Sequence, residues 1–368
     1  MPLQDLAAHH EGLLPELAAA AIRVLTSGRF IAGAETEAFE REVAAALSIS
    51  HAVGVSSGTD GLLAALMACG VGPGDEVVTT PFSFFASVGS IVRLGATPIF
   101  ADIDPSSFNI DPAAAAARLG PKTRAVLVVH LFGRAARLDG LEGACAARGV
   151  PIIEDAAHAI GARDGGRPVG ALGRAAVISF FPSKNLGGFG DGGMVVTNDA
   201  DFAARLRVLR RHGATAKNRH EIIGGNFRLD ELQAALLRVK LPHLSRWTES
   251  RRQLADRYFQ RLGPLAETGA IDLPLADTDA VWNQFVIRAR RNARAPLRQH
   301  LAARGIATAI YYPTPLHLQP ALAHLGLRAG DLPHAERAAA EALALPIYPE
   351  LPFADVDRVA AAVAAFFG

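Results

Sequence analysis

The sequence contains little lysine. Only four of its 37 basic residues are lysines, and the other 33 are arginines. Arginine can replace a lysine that only supplies charge. It cannot replace a lysine whose neutral amine attacks a carbonyl, because guanidinium does not deprotonate in proteins. Lys184 follows a predicted buried strand on a loop with five glycines, so it is a candidate for amine chemistry. The alternative is a solvated loop lysine.

Three further absences limit the function. The two cysteines, Cys69 and Cys145, lie in alanine-rich helical runs, which excludes a disulfide framework and predicts no metal site. The net charge is +1 and like charges form no long block, which argues against nucleic acid as a partner. No signal-peptide pattern opens the chain, and no charge-free apolar segment of about 20 residues occurs. We therefore expect a cytoplasmic protein with no membrane partner.

Strand and helix patterns alternate through the first two thirds of the chain. Near-continuous apolar runs predict seven strands, at residues 52–56, 76–80, 97–101, 125–130, 151–154, 175–181 and 194–197. Helical patterns lie between most of them, at residues 59–69, 84–94, 112–119 and 138–148. The alternation predicts an α/β fold with a mostly parallel sheet. We assign residues 1–243, with an N-terminal helical arm, to this large domain and residues 244–368 to a smaller α+β domain. In the smaller domain we expect short strands at residues 281–288 and 307–311 and helices at residues 295–304, 335–343 and 354–367.

Residues with suitable chemistry follow four of the predicted strands. Ligands of an open α/β sheet bind beyond the carboxyl ends of its strands. The residues at these ends are Ser57, Gly58, Thr59, Phe84, Asp155, His158, Ser179 and Lys184. Three of them have a plain alternative: Ser57 and Asp155 are also ordinary helix caps, and Phe84 is also a packing residue at a helix start.

The set as a whole matches the needs of pyridoxal phosphate. A lysine forms the Schiff base, and a carboxylate keeps the pyridine nitrogen protonated. An aromatic ring stacks on the cofactor, while N–H and hydroxyl groups at a helix N-terminus hold the phosphate.

Five motifs then make a family resemblance plain. They are Ser-Gly-Thr-Asp (57–60), Gly-Asp-Glu-Val (74–77), Asp-Ile-Asp-Pro (102–105), Glu-Asp-Ala-Ala (154–157) and Asn-Phe-Arg-Leu-Asp (226–230). In order and spacing the chain resembles the DegT/DnrJ/EryC1/StrS family of sugar aminotransferases. The resemblance implies the fold type I of pyridoxal phosphate enzymes, with a seven-stranded sheet, and a homodimer with shared active sites. It also implies a nucleotide-sugar substrate and an amino-acid donor, L-glutamate.

The resemblance also implies a role for each site residue. Lys184 is similar to the Schiff-base lysine and Asp155 to the partner of the ring nitrogen. The other expected cofactor contacts are Ser57, Gly58, Thr59, Phe84, His158, Ser179 and, from the neighbouring subunit, Asn226. Arg228, Tyr311 and Tyr312 are the expected substrate contacts. Relatives often have His at the Tyr311 position.

Loop residues 190–193 bear on which sugar carbon receives the nitrogen. Their Gly-Asp-Gly-Gly sequence resembles relatives that act at carbon 3, whereas many that act at carbon 4 have Gly-Glu-Gly-Gly. Asp191 is therefore expected to favour a 3-keto sugar, with carbon 4 as the alternative. Two other functions are also considered: a nucleotide-binding oxidoreductase using residues 187–193 as its glycine loop, and a non-enzymatic regulatory relative. The glycine spacing disfavours the first.

Overall fold

A seven-stranded sheet lies at the centre of the molecule, and the structure, a computed structural model, describes residues 1–368. Its strands are β1 (His51–Val55), β2 (Glu76–Thr79), β3 (Thr97–Phe100), β4 (Thr123–Val129), β5 (Ile152–Asp155), β6 (Ala175–Ser179) and β7 (Gly193–Thr197). Their order in the sheet is β1-β7-β6-β5-β4-β2-β3, and only β7 runs antiparallel to its neighbours. The predicted α/β fold and its mostly parallel sheet are confirmed.

Alternate residues of the strands enter two separate hydrophobic cores. On β4, Val126 and Val128 join a cluster of 44 buried residues, whereas Ala125 and Leu127 join one of 21. Successive side chains of a strand point to opposite faces, so both faces of the sheet are covered. This explains why the strands are apolar runs without a polar alternation.

Thirteen helices surround the strands. They are α1 (Leu6–Glu11), α2 (Leu14–Ser27), α3 (Ala34–Leu47), α4 (Gly58–Ala68), α5 (Phe85–Arg93), α6 (Pro112–Ala117), α7 (Leu141–Ala146), α8 (Ala200–Leu209), α9 (Glu231–Lys240), α10 (Leu244–Glu267), α11 (Arg294–Ala303), α12 (Pro333–Glu341) and α13 (Phe353–Phe367). No helix among them combines the length and the apolar composition needed to cross a membrane. The N-terminal helical arm consists of two helices, because Gly12 caps the end of α1 and Pro15 lies in the first turn of α2.

The C-terminal third contains its own sheet and core. Strands β8 (Ile271–Asp272), β9 (Phe285–Ala289) and β10 (Ala342–Leu345) form an antiparallel sheet. A cluster of 23 buried residues, all between Leu254 and Val363, packs beside it. These features agree with an α+β piece, while the boundary at residue 243 stays a prediction. The N-terminus reaches this region, because the Met1 amino group donates to the Gly305 carbonyl (2.6 Å).

Two predicted elements of this region have different ends in the structure, and a third is not a strand. The helix expected over 335–343 ends at Glu341, and the following Ala-Leu-Ala-Leu segment pairs with β9 because sheet pairing overrides helix propensity. The strand expected over 281–288 begins only at Phe285, since Trp282 has a φ of 45°. The strand expected over 307–311 is a single bridge, at Ala309.

Candidate active site

One cavity lies where the carboxyl ends of the central strands meet the C-terminal region. Its volume is about 640 Å³, and it is the larger of two cavities at this edge of the sheet. Ten of the twelve predicted site residues line it: Ser57, Gly58, Thr59, Phe84, Asp155, His158, Ser179, Lys184, Tyr311 and Tyr312. The strand ends therefore bring together the residues that the sequence spaces over more than 250 positions.

The N-terminus of α4 forms one end of this cavity. Ser57 is the N-cap, and its Oγ accepts the Asp60 N–H at 3.0 Å. The amides of Gly58 and Thr59 precede the first intrahelical donors, so they are free for an anion. A Cβ on Gly58 would lie 2.9 Å from the Cβ of Ser179, so only glycine lets the helix start approach β6 this closely. The arrangement suits a phosphate group.

Asp155 closes strand β5 and is only 5% exposed. The hydroxyl of Ser87 donates to Oδ2 (2.8 Å), and the Ala157 N–H donates to Oδ1 (3.2 Å). Burial raises the pKa of Asp155, while these two donors and the charge of Lys184 oppose that rise. A bound cation would oppose it further, so the site favours a protonated ring nitrogen beside the carboxylate.

His158 has one ring nitrogen occupied. The Phe132 N–H donates to Nδ1 at 3.3 Å, and the two rings are nearly parallel, 13° apart. Burial and then the charge of Lys184 hold the pKa of His158 well below its usual value, so the ring is neutral at pH 7. Because Nδ1 accepts, the proton is on Nε2, which is the donor that remains for a ligand.

Lys184 follows β6, the neighbour of β5 in the sheet. Burial lowers the pKa of its ammonium to about 8, although the attraction of Asp155 acts in the opposite direction. A share of the side chain is therefore neutral near pH 7, as nucleophilic chemistry requires. Its side chain lines the cavity, where the sequence places a reactive lysine.

Aromatic side chains form the walls between these groups. Phe84 caps α5 and is 60% exposed, so its ring is free to cover a planar ligand. The Tyr312 ring lies 6.3 Å from it. Burial raises the pKa of both Tyr311 and Tyr312, and the charge of Asp155 adds to the rise at Tyr312. Both phenols therefore remain neutral donors.

Asn226 and Arg228 do not reach this cavity within one chain. They line a second cavity of about 280 Å³ beside it. Asp191 lines both cavities. The Nε of Arg228 is buried and has no hydrogen-bond partner, so its guanidinium can still take an anion.

Several lining residues escaped the sequence analysis, namely Ser83, Phe181, Ser183 and Gln284. Gln284 comes from the C-terminal third, and its Oε1 is buried without a partner. No motif marks it, because only the tertiary fold brings it next to the sheet edge. The Ser83 Oγ lies 2.9 Å from that of Ser87, which joins Asp155, so a repeated serine at i, i+4 was the available signal.

These residues fit pyridoxal phosphate. Lys184 would supply the amine and Asp155 the carboxylate, while Phe84 offers an exposed ring and the start of α4 a free pair of amides beside the close approach of Gly58 to Ser179. The fold and the site together are those of a pyridoxal phosphate-dependent aminotransferase.

Comparisons with known proteins establish the family. The sequence model of the DegT/DnrJ/EryC1/StrS aminotransferase family matches residues 14–364, and the chain belongs to this family. It is 47% identical over 372 residues to a pleiotropic regulatory protein of Geobacillus stearothermophilus, covering 100% of this chain and 98% of that protein. It is 46% identical over 363 residues to the dTDP-3-amino-3,4,6-trideoxy-alpha-D-glucose transaminase of Streptomyces venezuelae, covering 99% of this chain and 95% of that one.

The fold matches solved structures equally well. The crystal structure of S. venezuelae DesV in complex with a ketimine intermediate superposes with a TM-score of 0.95 at 45% identity, covering 99% of this chain and 98% of that one. The protein is thus a sugar aminotransferase that depends on pyridoxal phosphate. The oxidoreductase and the non-enzymatic relative are set aside.

Proposed function

We propose that this aminotransferase moves an amino group from L-glutamate to the 3-keto group of a nucleotide-linked hexose. The observation that supports it most is that Lys184, with a pKa of about 8, and buried Asp155 line one cavity large enough for a cofactor and a sugar. Bound pyridoxal phosphate supplies an aldehyde carbon that bonds to amines and a ring that withdraws electrons.

Each residue then has a defined task. Asp155 keeps the proton on the ring nitrogen, and the Nε2–H of His158 is free to donate to an oxygen on the ring. The amides of Gly58 and Thr59 bind the phosphate, together with the hydroxyls of Ser57 and Ser179. Lys184 would hold the cofactor through its amine, and that amine in its neutral form would carry a proton between the substrate carbon and the cofactor carbon on either side of the transferred nitrogen.

The choice of carbon 3 is supported by two observations. A relative that is 46% identical to this chain, with 95% of its length aligned, is named as a transaminase of a 3-amino sugar. Asp191 is exposed and lines both cavities, where its carboxylate can contact sugar hydroxyls. One extra methylene in Glu would extend that carboxylate into the space beside the sugar.

The test is a panel of 3-keto and 4-keto nucleotide hexoses offered to the amino form of the enzyme. Mass spectrometry detects products, and NMR locates the nitrogen. We expect amination at carbon 3. Nitrogen on carbon 4, with the 3-keto substrates left unreacted, would contradict the proposal. The variant Asp191→Glu should shift the preference towards 4-keto sugars, and Asp191→Asn is its matched control for charge. The same assay with glutamate, glutamine, aspartate and alanine identifies the donor.

We further propose a homodimer in which Asn226 and Arg228 complete the site of the partner subunit. Their cavity is lined by Ile31, and one chain leaves the apolar surface of Phe30 and Ile31 47% and 43% exposed. Ile22 and Leu25 on α2 are 61% and 60% exposed and share one helix face. A C2 dimer that covers this surface would bring two copies of each site together.

Mixing inactive variants tests the shared site. Lys184→Ala and Asn226→Ala subunits, each inactive alone, should regain part of the activity in a heterodimer, because one of its two sites is intact. Light scattering and mass spectrometry show whether heterodimers form. Heterodimers without activity would contradict sharing.

A further inference from the structure

A buried lysine lies beside the loop that carries Lys184. Lys240 ends α9 and is fully buried, whereas Lys122 and Lys217 are exposed. Its ammonium donates to the carbonyl of Gly187, three residues after Lys184. In a chain that uses arginine for nearly all its positive charge, this lysine also has a position that arginine cannot take.

The surroundings of Lys240 explain the preference. Nζ lies 3.0 Å from Nε2 of His10, and it sits 5.4 and 5.8 Å from the ring centres of Phe189 and Trp247. Burial lowers the pKa of Lys240 to about 8 and that of His10 to about 4. Between these values the ammonium donates and the imidazole accepts. A guanidinium has five donors, and the Gly187 carbonyl and this one ring nitrogen leave most of them without a partner.

The loop backbone is tightly closed, so a contact at Gly187 also restrains the position of Lys184. The Gly188 N–H donates to the Phe180 carbonyl at 2.7 Å. A Cβ on Gly187 would lie 2.1 Å from the carbonyl oxygen of Pro182. The backbone therefore folds back on itself around Lys184, so a displacement of Gly187 would also displace the residues beside Lys184.

Two more contacts from distant segments hold the residues on either side of Lys184. Nε2 of Gln4, at the start of the chain, donates to the Ser183 carbonyl at 3.0 Å. Nδ2 of Asn283, in the C-terminal third, donates to Oδ1 of Asn185 at 2.8 Å. The lysine is thus held from the N-terminal arm, from α9 and from the C-terminal region.

We propose that Lys240, with His10 and Gln4 of the N-terminal arm, is a clamp that positions Lys184 over the cofactor. Lys240 is a positioning residue and does not touch the reacting atoms. The proposal rests on the role of Lys184 in the proposed function. It assigns a purpose to the arm, whose first residues join the Lys184 loop to the C-terminal region.

Hydrogen exchange of the cofactor-free protein tests the clamp without relying on catalysis. Lys240→Met keeps the length of the side chain and removes its charge and donors. We expect exchange in residues 182–190 to rise about tenfold or more, while the strands of the sheet keep their protection. Lys122→Met is the matched control, because Lys122 is exposed and directly precedes β4, at the end of that strand away from the cavity. Unchanged exchange in the loop would overturn the proposal.

Absorbance and kinetics of the cofactor-loaded enzyme give the second measurement. In Lys240→Met the pH midpoint of the cofactor band should shift by about half a unit or more, since the amine is less well placed. The kcat should fall about tenfold with little change in KM. If Lys240→Met fails to fold, Gln4→Leu and His10→Leu must give the same two effects at a smaller size. The clamp is overturned if neither variant shows either effect.

Borohydride trapping separates the clamp proposal from the proposed role of Lys184, on which it rests. A label on Lys184 in the wild type with no effect of Lys240→Met contradicts the clamp alone. A label on Lys240 itself contradicts both, because Lys240 would then be the reacting amine.

Discussion

Two walls of the cavity, the acid wall that carries Asp155 and the lysine loop that carries Lys184, are built in different ways. Asp155 belongs to a central strand, and its partners come from the sheet domain: Ser87 on the adjoining helix and the nearby Ala157 amide. Lys184 lies on a loop that three hydrogen bonds support, and the residues they join are 179, 53 and 98 positions apart in the sequence. The acid is positioned by the core, whereas the amine is positioned by segments that only the complete tertiary fold brings together.

The buried layer behind the acid extends this contrast. Glu154, next to Asp155, is fully buried and accepts hydrogen bonds from His130 Nε2 (2.8 Å), the Gly170 N–H (2.9 Å) and the Gly173 N–H (2.7 Å). A carboxylate with three donors is satisfied in place and rigid. We therefore expect changes on the acid wall to act through charge, and changes around the lysine loop to act through position.

The largest effect is expected at Lys184 itself. Lys184→Ala and Lys184→Arg should both lose turnover by about a thousandfold or more, because neither side chain offers a neutral amine. Borohydride trapping followed by peptide mapping should show no adduct, while cofactor binding by the α4 N-terminus persists. Activity in the arginine variant within tenfold of the wild type would show that charge and not amine chemistry is needed here.

A smaller loss is expected on the other wall. Asp155→Asn keeps the shape and removes the negative charge, so the ring nitrogen loses its counter-ion. We expect kcat to fall about a hundredfold while most of the cofactor affinity survives. Steady-state kinetics and a cofactor titration measure both quantities. Near-wild-type rates would make Asp155 a structural residue and remove the electrostatic half of the comparison.

The two walls are coupled through charge, and pH reveals the coupling. The pKa of Lys184 is lowered to about 8, so its reactive neutral form grows as the pH rises through that value. Adduct formation by the cofactor-free enzyme should therefore accelerate about tenfold between pH 7 and pH 9. Asp155 favours the ammonium, so Asp155→Asn should move the midpoint to lower pH. A stopped-flow absorbance series measures it, and a midpoint near that of free lysine would contradict the burial argument.

The same contrast explains what the sequence can predict. The seven strands were located within a few residues because each is an apolar run covered on both faces, and the residues at their ends follow from the strand positions. Asp155 and Lys184 are marked by local sequence. Lys240, Gln4 and Gln284 are not, because their roles depend on contacts across 50 residues or more. The C-terminal strand Ala342–Leu345 was missed for the same reason, since an Ala-Leu sequence favours a helix and only its pairing with β9 makes it a strand.

The smallest effect, and the most specific to the acid wall, is expected at Ser87. Its hydroxyl donates to Asp155 and thereby lowers the pKa of that carboxyl, so Ser87→Ala should raise it. Asp155 would then become protonated at higher pH, and the acidic limb of the rate–pH profile should move upward by about half a unit to one unit. At the optimum the rate should change less than about threefold, because Asp155 remains ionised at that pH in both proteins.

Ser90→Ala is the control for that experiment. Ser90 is equally buried on the same helix, but its hydroxyl donates to the Ser87 carbonyl at 3.1 Å and does not touch Asp155. If both variants moved the acidic limb alike, the effect would come from loosening the helix, and the acid wall would be no more electrostatic than the lysine loop. A shift in Ser87→Ala alone would show that the core tunes the charge of Asp155 through one hydroxyl, without moving it.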